Sequence, residues 1–142
     1  KESNELTITH KDMTRFTLTI KEAIELVLDC LDIMIGGEIF IPKIPSYTIL
    51  QLAKIIAPTC NIKEIGLRPG EKLHESLISI NESYQSIELD NKYIIVPPKD
   101  IIITDLYTKH YKNNICKKYF SYISNHNQFI DDSILKSLIF KT

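Results

Sequence analysis

Arg68 and Glu71 are the first candidates in this chain for holding an anionic ligand. They are joined through Pro69-Gly70, a pair that favours a tight turn. Such a turn presents a guanidinium and a carboxylate on one rim, where Arg68 would hold a diphosphate and Glu71 would accept hydrogen bonds from the vicinal hydroxyls of a ribose. A solvated surface turn explains the same residues, because Pro-Gly flanked by charges is common in such turns.

Arg15 is the second candidate for binding an anion. It follows Thr14 shortly before a predicted helix, and a helix start attracts anions. The planar guanidinium of arginine binds two phosphate oxygens at once, and the Thr14 hydroxyl adds a further polar group. A surface ion pair between Arg15 and Asp12 explains the same spacing, and spacing alone favours that simpler explanation.

Lys43 is a third candidate, since it lies in a stiff loop between two prolines, Pro42 and Pro45. This loop could bring its ammonium group to the same ligand. A solvated loop lysine is the alternative explanation.

The sequence lacks the residues that redox catalysis requires. A dinucleotide cofactor needs a glycine-rich turn between a strand and a helix, and the four glycines, at 36, 37, 66 and 70, do not form one. No tyrosine is followed four residues later by the lysine that would lower its pKa. The histidines and cysteines show no metal-ligand spacing. We therefore expect no catalytic residue, cofactor site or metal site within this chain.

Charge and hydropathy exclude several classes of partner. The chain has 17 Lys plus Arg and 18 Asp plus Glu among 142 residues, so no broad basic surface for nucleic acid or anionic lipid is expected. No apolar run approaches the roughly 20 residues of a membrane-spanning helix, and residues 1–5 lack signal-peptide character. We expect a cytoplasmic protein with no membrane span.

The elements that would position the candidates alternate between helix and strand. Thr19-Ile20-Lys21-Glu22 is a capping box that predicts a helix ending at Gly36-Gly37. A strand over 38–42 follows, and then a helix that Ser46 would cap and Pro58 would end, with Ile49, Leu52, Ala53 and Ile56 on one face. This alternation predicts an α/β fold.

The second half of the chain has weaker signals. A strand over 61–66, the Arg68 turn and a short helix or mixed segment over 72–80 precede a predicted hairpin with strands over 84–89 and 93–96. The pattern from 99 to 127 does not determine an element, and Asp131 introduces a last short helix. We expect residues 1–98 to form the α/β region and residues 99–142 a carboxy-terminal extension.

Several motifs together resemble the carboxy-terminal half of the UDP-N-acetylglucosamine 4,6-dehydratases of the polysaccharide-biosynthesis type, in the extended short-chain dehydrogenase/reductase group. The resemblance covers nearly the whole chain and is weakest over 99–118. Its motifs are Met13–Phe16, Gly36–Ser46, Leu67–Glu75, Glu88–Asp90, Tyr93 and Tyr122–Phe129.

The resemblance implies roles for particular residues. Arg15 and Arg68 match arginines that face the UDP diphosphate, and Glu71 matches the acidic residue at the ribose. Lys43, Lys72 and His74 also match the family's motifs, as lining or structural residues. Our predicted substrate-binding set is Thr14, Arg15, Lys43, Arg68, Glu71 and Lys72.

The resemblance also implies what this chain lacks. In this family an amino-terminal Rossmann domain holds NADP or NAD and supplies the catalytic residues. The sugar is oxidised at C4, loses water across C5 and C6, and is reduced at C6. We therefore expect a fragment that binds a UDP-sugar, exposes some apolar surface without its Rossmann domain or a complementary chain, and belongs to a homo-oligomeric enzyme. A non-catalytic binding or assembly module and a fragment of a UDP-sugar 4-epimerase are the alternatives.

Overall fold

The computed structural model describes residues 4–84, 86–96, 101–111, 114–116 and 118–140. These residues form short strands and helices in mixed order. The strands are β1 (Glu5–Ile8), β2 (Thr14–Phe16), β3 (Ile39–Pro42), β4 (Ser46–Thr48), β5 (Asn61–Glu64), β6 (Ser76–Ile78), β7 (Ile87–Glu88), β8 (Lys92–Ile95) and β9 (Tyr122–Ile123). The helices are α1 (Ile20–Ile33), α2 (Ile49–Ile56), α3 (Ile80–Ser83), α4 (Ile101–His110) and α5 (Asp132–Ile139), and a 3-10 turn covers Ser124–His126.

The chain divides into two compact units. The first comprises Lys1–Thr17, Ile44–Glu75 and Ile123–Thr142, and the second comprises Leu18–Lys43 and Ser76–Tyr122. Each unit is therefore built from segments that are distant in sequence. The boundary predicted between residues 98 and 99 lies outside the described residues and remains a prediction.

The first unit contains two pairs of strands, packed with α2 and α5. β1 runs parallel to β5, and β2 runs antiparallel to β4, with Arg15 opposite Tyr47. Ser46 in β4 also exchanges backbone hydrogen bonds with Gln128 and Ile130, so the chain near α5 is fastened to this strand. The buried apolar side chains of this unit include Ile8, Met13, Ala53, Ile130 and Leu135.

The second unit contains a three-stranded antiparallel sheet in the order β3-β8-β7. Ile87, Ile94 and Tyr107 are fully buried at the centre of its core. The predicted hairpin is confirmed, with strands shorter than expected, and Leu89 donates to the carbonyl of Lys92 across its turn. Lys92 is itself buried, and its ammonium lies 3.6 Å from the Asp29 carboxylate on α1.

Helix α1 begins where its capping box predicts. Thr19 is the N-cap: its hydroxyl accepts from the Glu22 amide, and the Glu22 carboxylate accepts from the Thr19 amide at 2.8 Å. The hydrogen bonds that the Thr19 amide and hydroxyl donate to the Glu22 carboxylate lower the pKa of Glu22. The apolar stripe of the helix, however, faces solvent: Ile20 is 81% exposed, and further stripe members are more than half exposed. Those members are Ile24, Val27, Leu28 and Leu31.

One sequence prediction requires correction. Helix α2 is capped by Thr48, whose capping box with Gln51 replaces the cap predicted at Ser46, because Ser46 is fully buried within β4. The segment 72–80 is mixed, which is one of the two forms predicted for it: it contains β6, and the short α3 starts at Ile80. Residues 99–127, for which the sequence pattern determines no element, contain α4 and β9.

The cap of α1 gives a test of this helix start. Thr19→Ala should lower the free energy of unfolding by about 1 kcal/mol, because the Glu22 amide loses its acceptor. Urea unfolding followed by circular dichroism measures the change. Thr19→Ser keeps the capping oxygen and is the matched control; an alanine variant as stable as the serine variant would contradict the cap.

Candidate functional site

The Arg68 turn follows β5 and has the tight geometry that its Pro-Gly pair predicts. The Glu71 amide donates to the Arg68 carbonyl at 3.0 Å, and Gly70 adopts a positive φ of 80°. In return, the Arg68 amide donates to the Glu71 carboxylate at 3.0 Å. The carboxylate is thus fixed to the backbone of the turn, not to the Arg68 guanidinium.

The side chains on this turn keep donors and acceptors available. Arg68 is exposed, and no side chain or carbonyl among the described residues hydrogen-bonds or ion-pairs with its guanidinium. Glu71 is half-buried and uses one carboxylate oxygen for the Arg68 amide. Lys72 follows directly, with an exposed side chain. A cationic fork and a carboxylate therefore share one fixed turn.

The Arg15 guanidinium, in contrast, points at protein backbone. From the centre of β2 it donates to the carbonyls of Thr14 at 2.7 Å, Lys72 at 2.9 Å and Leu73 at 3.3 Å. These bonds use three of the five N–H donors that a guanidinium carries. Its Nε lies 3.6 Å from the Glu75 carboxylate, so Glu75, and not Asp12, is the acidic neighbour of Arg15.

Thr14 lies in a buried polar network that sequence reasoning missed. Its hydroxyl is 2.9 Å from His74 Nδ1 and 2.6 Å from the hydroxyl of Ser124, which is fully buried. The Ser124 hydroxyl also accepts from the Glu75 amide at 2.9 Å. The participants lie 60 and 110 residues from Thr14 along the chain, and no local motif connects them.

Lys43 belongs to the second unit, whereas Thr14, Arg15 and the Arg68 turn belong to the first. Its ammonium lies 2.7 Å from the Glu88 carboxylate and 4.7 Å from the centre of the Tyr93 ring. Burial, together with the negative charge of Glu88, raises the pKa of Tyr93 to about 12. Lys43 and Glu88 also border a polar cavity of about 330 Å³, which is lined by Lys43, Glu88, Leu89, Asp90, Asn114, Ile115 and Cys116.

The glycines do not fit a dinucleotide cofactor. Gly36 and Gly37 connect helix α1 to strand β3, which is the reverse of the strand-to-helix turn that directs backbone amides at a pyrophosphate. Gly66 and Gly70 flank the exposed Arg68 turn, which leads into an extended segment and not into a helix. The glycine turns of this chain therefore supply no cradle for such a cofactor.

The sequence itself identifies the family. A profile of the polysaccharide biosynthesis protein family matches residues 1–97. The chain belongs to this family. It is 43% identical over 132 residues to an inverting UDP-N-acetylglucosamine 4,6-dehydratase of Campylobacter jejuni, an alignment that covers 88% of this chain and 39% of that enzyme. The resemblance predicted from the motifs is thereby confirmed.

Two further similarities broaden the comparison. The chain is 34% identical over 128 residues to a UDP-glucose 4-epimerase of Rickettsia bellii, covering 78% of this chain and 38% of the epimerase. Its fold is similar to the X-ray structure of Pen from Bacillus thuringiensis, with a TM-score of 0.76, 30% identity and coverage of 99% of this chain and 41% of that one.

The chain spans about 39% of the length of the first of these curated relatives. The mixed α/β character predicted from the sequence is confirmed by the elements and by the likeness to Pen. Within the described residues, each helix is too short or too polar to cross a lipid bilayer.

The two arginines provide a matched test of their different surroundings. Arg15→Lys should lower the free energy of unfolding by about 1 to 3 kcal/mol, because one ammonium cannot reach three carbonyls held by a planar fork. Arg68→Lys should change it by less than about 0.5 kcal/mol, because the guanidinium at 68 is exposed. Chemical denaturation measures both, and equal effects of the two substitutions would contradict the contrast.

Proposed function

We propose that this chain is the nucleotide-sugar-binding, carboxy-terminal region of a UDP-N-acetylglucosamine 4,6-dehydratase of the extended short-chain dehydrogenase/reductase group. The 43% identity to the Campylobacter jejuni dehydratase supports this proposal. The observation that carries the binding role is the Arg68 turn, a single tight turn that contains an exposed arginine and a half-buried glutamate whose carboxylate is fixed by the backbone.

In this proposal Arg68 binds the diphosphate of UDP. A guanidinium without a protein partner keeps its planar fork for two phosphate oxygens, and the binding of the ligand breaks no existing ion pair at that site. The neighbouring Lys72 adds a second positive charge on the exposed side of the turn. The turn therefore offers positive charge to the ligand at little cost in rearrangement.

Glu71 binds the ribose in the same proposal. Its carboxylate already accepts one backbone hydrogen bond, which holds it in place, and a carboxylate has capacity for about four acceptor contacts. The vicinal hydroxyls of a ribose are two donors at a spacing that one carboxylate can bind. Burying half of the side chain strengthens these bonds relative to water.

The other predicted binding residues have more indirect support. Arg15 makes three carbonyl bonds and its Nε lies 3.6 Å from the Glu75 carboxylate, so one N–H donor remains for a contact to the diphosphate. Lys43 is ion-paired with Glu88 at the edge of a polar cavity, and its contact with the sugar stays a prediction. Thr14 has its hydroxyl engaged inside the protein, and its contact with substrate likewise stays a prediction.

The catalytic and cofactor-binding parts of the enzyme would lie outside this chain. We propose that an amino-terminal Rossmann domain holds NADP or NAD and supplies the catalytic residues. The exposed apolar stripe of α1 supports the existence of a covering surface elsewhere in the complete enzyme. Cytoplasmic location and homo-oligomerisation of that enzyme are part of the same proposal.

A UDP-sugar 4-epimerase is the second candidate, because the chain is also 34% identical to a UDP-glucose 4-epimerase. The two enzymes would share the UDP clamp and differ in the product. Mass spectrometry of the sugar made by the complete enzyme separates them, since only the dehydratase removes a water molecule. If the chain binds UDP and is not part of a longer reading frame, it would instead be a binding or assembly module.

The diphosphate role of Arg68 can be measured by titration calorimetry with UDP. Arg68→Ala should weaken UDP binding by about 1.5 to 3 kcal/mol, which is roughly tenfold to 150-fold, because a charge-assisted hydrogen bond is lost. Its affinity for uridine, which has no phosphate, should not change. Unchanged UDP affinity in the variant would reject the assignment, and no heat from the wild-type chain at millimolar UDP would exclude binding by the chain alone.

The ribose role of Glu71 predicts a change in discrimination. Wild-type protein should prefer UDP to 2′-deoxy-UDP, and Glu71→Ala should reduce that preference, because the acceptor of the 2′-hydroxyl is gone. The loss of the bond to the Arg68 amide affects both nucleotides alike, so the ratio of their dissociation constants isolates the ribose contact. Glu25→Ala on α1 is a control; an unchanged ratio in Glu71→Ala would remove the ribose role.

A further inference from the structure

The residues that follow the Arg68 turn are held by the protein although they belong to no sheet. Within the segment 72–75, the carbonyls of Lys72 and Leu73 accept from Arg15, and the carbonyl of Leu73 also accepts from the Thr14 amide at 3.1 Å. The Glu75 amide and carbonyl both bond to Ser124. Every residue of this segment except His74 is therefore fastened through its backbone.

His74 is held through its ring, and the hydrogen bonds around it define which group donates and which accepts at each contact. The Ser124 hydroxyl accepts from the Glu75 amide, so its own hydrogen has two possible acceptors in Thr14. One is the Thr14 hydroxyl at 2.6 Å, and the other is the Thr14 carbonyl at 3.3 Å. That carbonyl already accepts from the Arg15 guanidinium at 2.7 Å, so the shorter contact to the hydroxyl is favoured.

The direction of the hydrogen bond between Ser124 and Thr14 in turn determines where the proton of the His74 ring lies. Because the Thr14 hydroxyl accepts from Ser124, its own hydrogen is directed to His74 Nδ1 at 2.9 Å. His74 Nδ1 is then an acceptor, and the proton of the neutral ring resides on Nε2. The chain of donors runs from the Glu75 amide through Ser124 and Thr14 to His74.

We propose that Thr14, Ser124 and His74 form a hydroxyl-imidazole relay that fixes the tautomer of His74 and positions the Arg68 turn for its ligand. This inference rests on the proposed function of that turn. Thr14 and Ser124 are buried, with exposed fractions of 3% and 0%, so water does not compete for these bonds. All three act through the backbone of residues 72–75 and are positioning residues.

The relay matters for binding because it anchors one end of the turn. The other end is anchored by the hydrogen bond from the Ile65 amide to the Ile8 carbonyl at 2.9 Å, whereas residues 66–70 between the anchors are exposed. A turn held at both ends has fewer conformations in the free protein, so less entropy is lost when Arg68 and Glu71 bind a ligand. If the anchor near His74 is loosened, we expect weaker ligand binding although both contact residues are intact.

The first experiment determines the tautomer of His74 by nitrogen-15 NMR of the imidazole at a pH where the ring is neutral. We expect the proton on Nε2 in wild-type protein, and a mixture of tautomers in Thr14→Val, which preserves shape and removes the hydroxyl. Thr14→Ser should restore the wild-type signal. A proton on Nδ1 in wild-type protein would overturn the relay, as would an unchanged tautomer in the valine variant.

The second experiment measures UDP affinity in the same proteins by calorimetry. Thr14→Val should bind UDP about tenfold more weakly, and Thr14→Ser should bind within about twofold of wild type. Unchanged affinity in the valine variant would overturn the positioning role. Ser137→Ala, which removes a hydroxyl bonded to the Ile134 carbonyl on the exposed side of α5, is the control and should change neither readout.

If Thr14→Val does not fold, substitutions of His74 test the relay in its place. Asparagine places its amide oxygen near the position of Nδ1, so His74→Asn should retain UDP affinity, whereas His74→Gln reaches the Nε2 position and should bind about tenfold more weakly. Equal affinity of the two variants would reject the relay. Absence of UDP binding by wild-type protein would remove the proposed function, and the tautomer of His74 would still accept or reject the relay.

Discussion

The hold of β2 on the segment 72–75 is the constraint on which the rest of the candidate site depends. This segment leaves its turn without entering a sheet, so its carbonyls need partners that neighbouring strands do not supply. The Arg15 guanidinium donates to the carbonyls of Lys72 and Leu73 in this segment and to the Thr14 carbonyl in its own strand, and so supplies donors that a neighbouring strand would otherwise provide. The Arg68 turn is consequently attached to β2, although residues 66–70 are exposed.

The same residue type has different surroundings at two positions of the first unit. At position 15 the guanidinium meets carbonyls within reach and is satisfied by the protein, whereas at position 68 the nearby carboxylate of Glu71 is taken by a backbone amide. The Arg68 guanidinium therefore has no partner among the described residues, which supports its proposed role in binding a ligand. In both cases the distribution of acceptors decides the task, and the charge of arginine alone does not.

Local signals were sufficient to predict the start of α1 and the Arg68 turn. The cap of α1 needs only Thr19 and Glu22, three residues apart, and the tight turn needs only Pro69 and Gly70, so each prediction rests on chemistry within four residues. The cap of α2 was misassigned because Ser46 and Thr48 are both good capping residues, and tertiary hydrogen bonds to residues 128 and 130 draw Ser46 into a strand.

Long-range polar contacts were beyond the reach of such patterns. Thr14 meets His74 and Ser124 only because the fold brings together segments 60 and 110 residues apart, and a threonine or serine has no periodic signature that announces this. The resemblance to the dehydratases marked Thr14 and His74 as parts of motifs without saying that they touch. The contact between Thr14 and His74 joins the two motifs in the folded chain, since each residue helps to hold the other in place.

The apolar stripe of α1 shows how a correct pattern can have an unexpected environment. Its three- and four-residue spacing predicts the helix and an apolar face, and both are present, yet residues such as Ile20 and Leu31 are more than half exposed. Helix α1 contacts its own unit through other positions, among them Asp29, which pairs with the buried Lys92. The outward-facing stripe is therefore not buried by this unit. Its burial against another surface would contribute a stabilising free energy of roughly 25 cal/mol per Å² of apolar surface. That gain supports our proposal that α1, in the second unit, is covered by another part of the complete enzyme, whereas the Arg68 turn that we propose binds the nucleotide lies in the first unit.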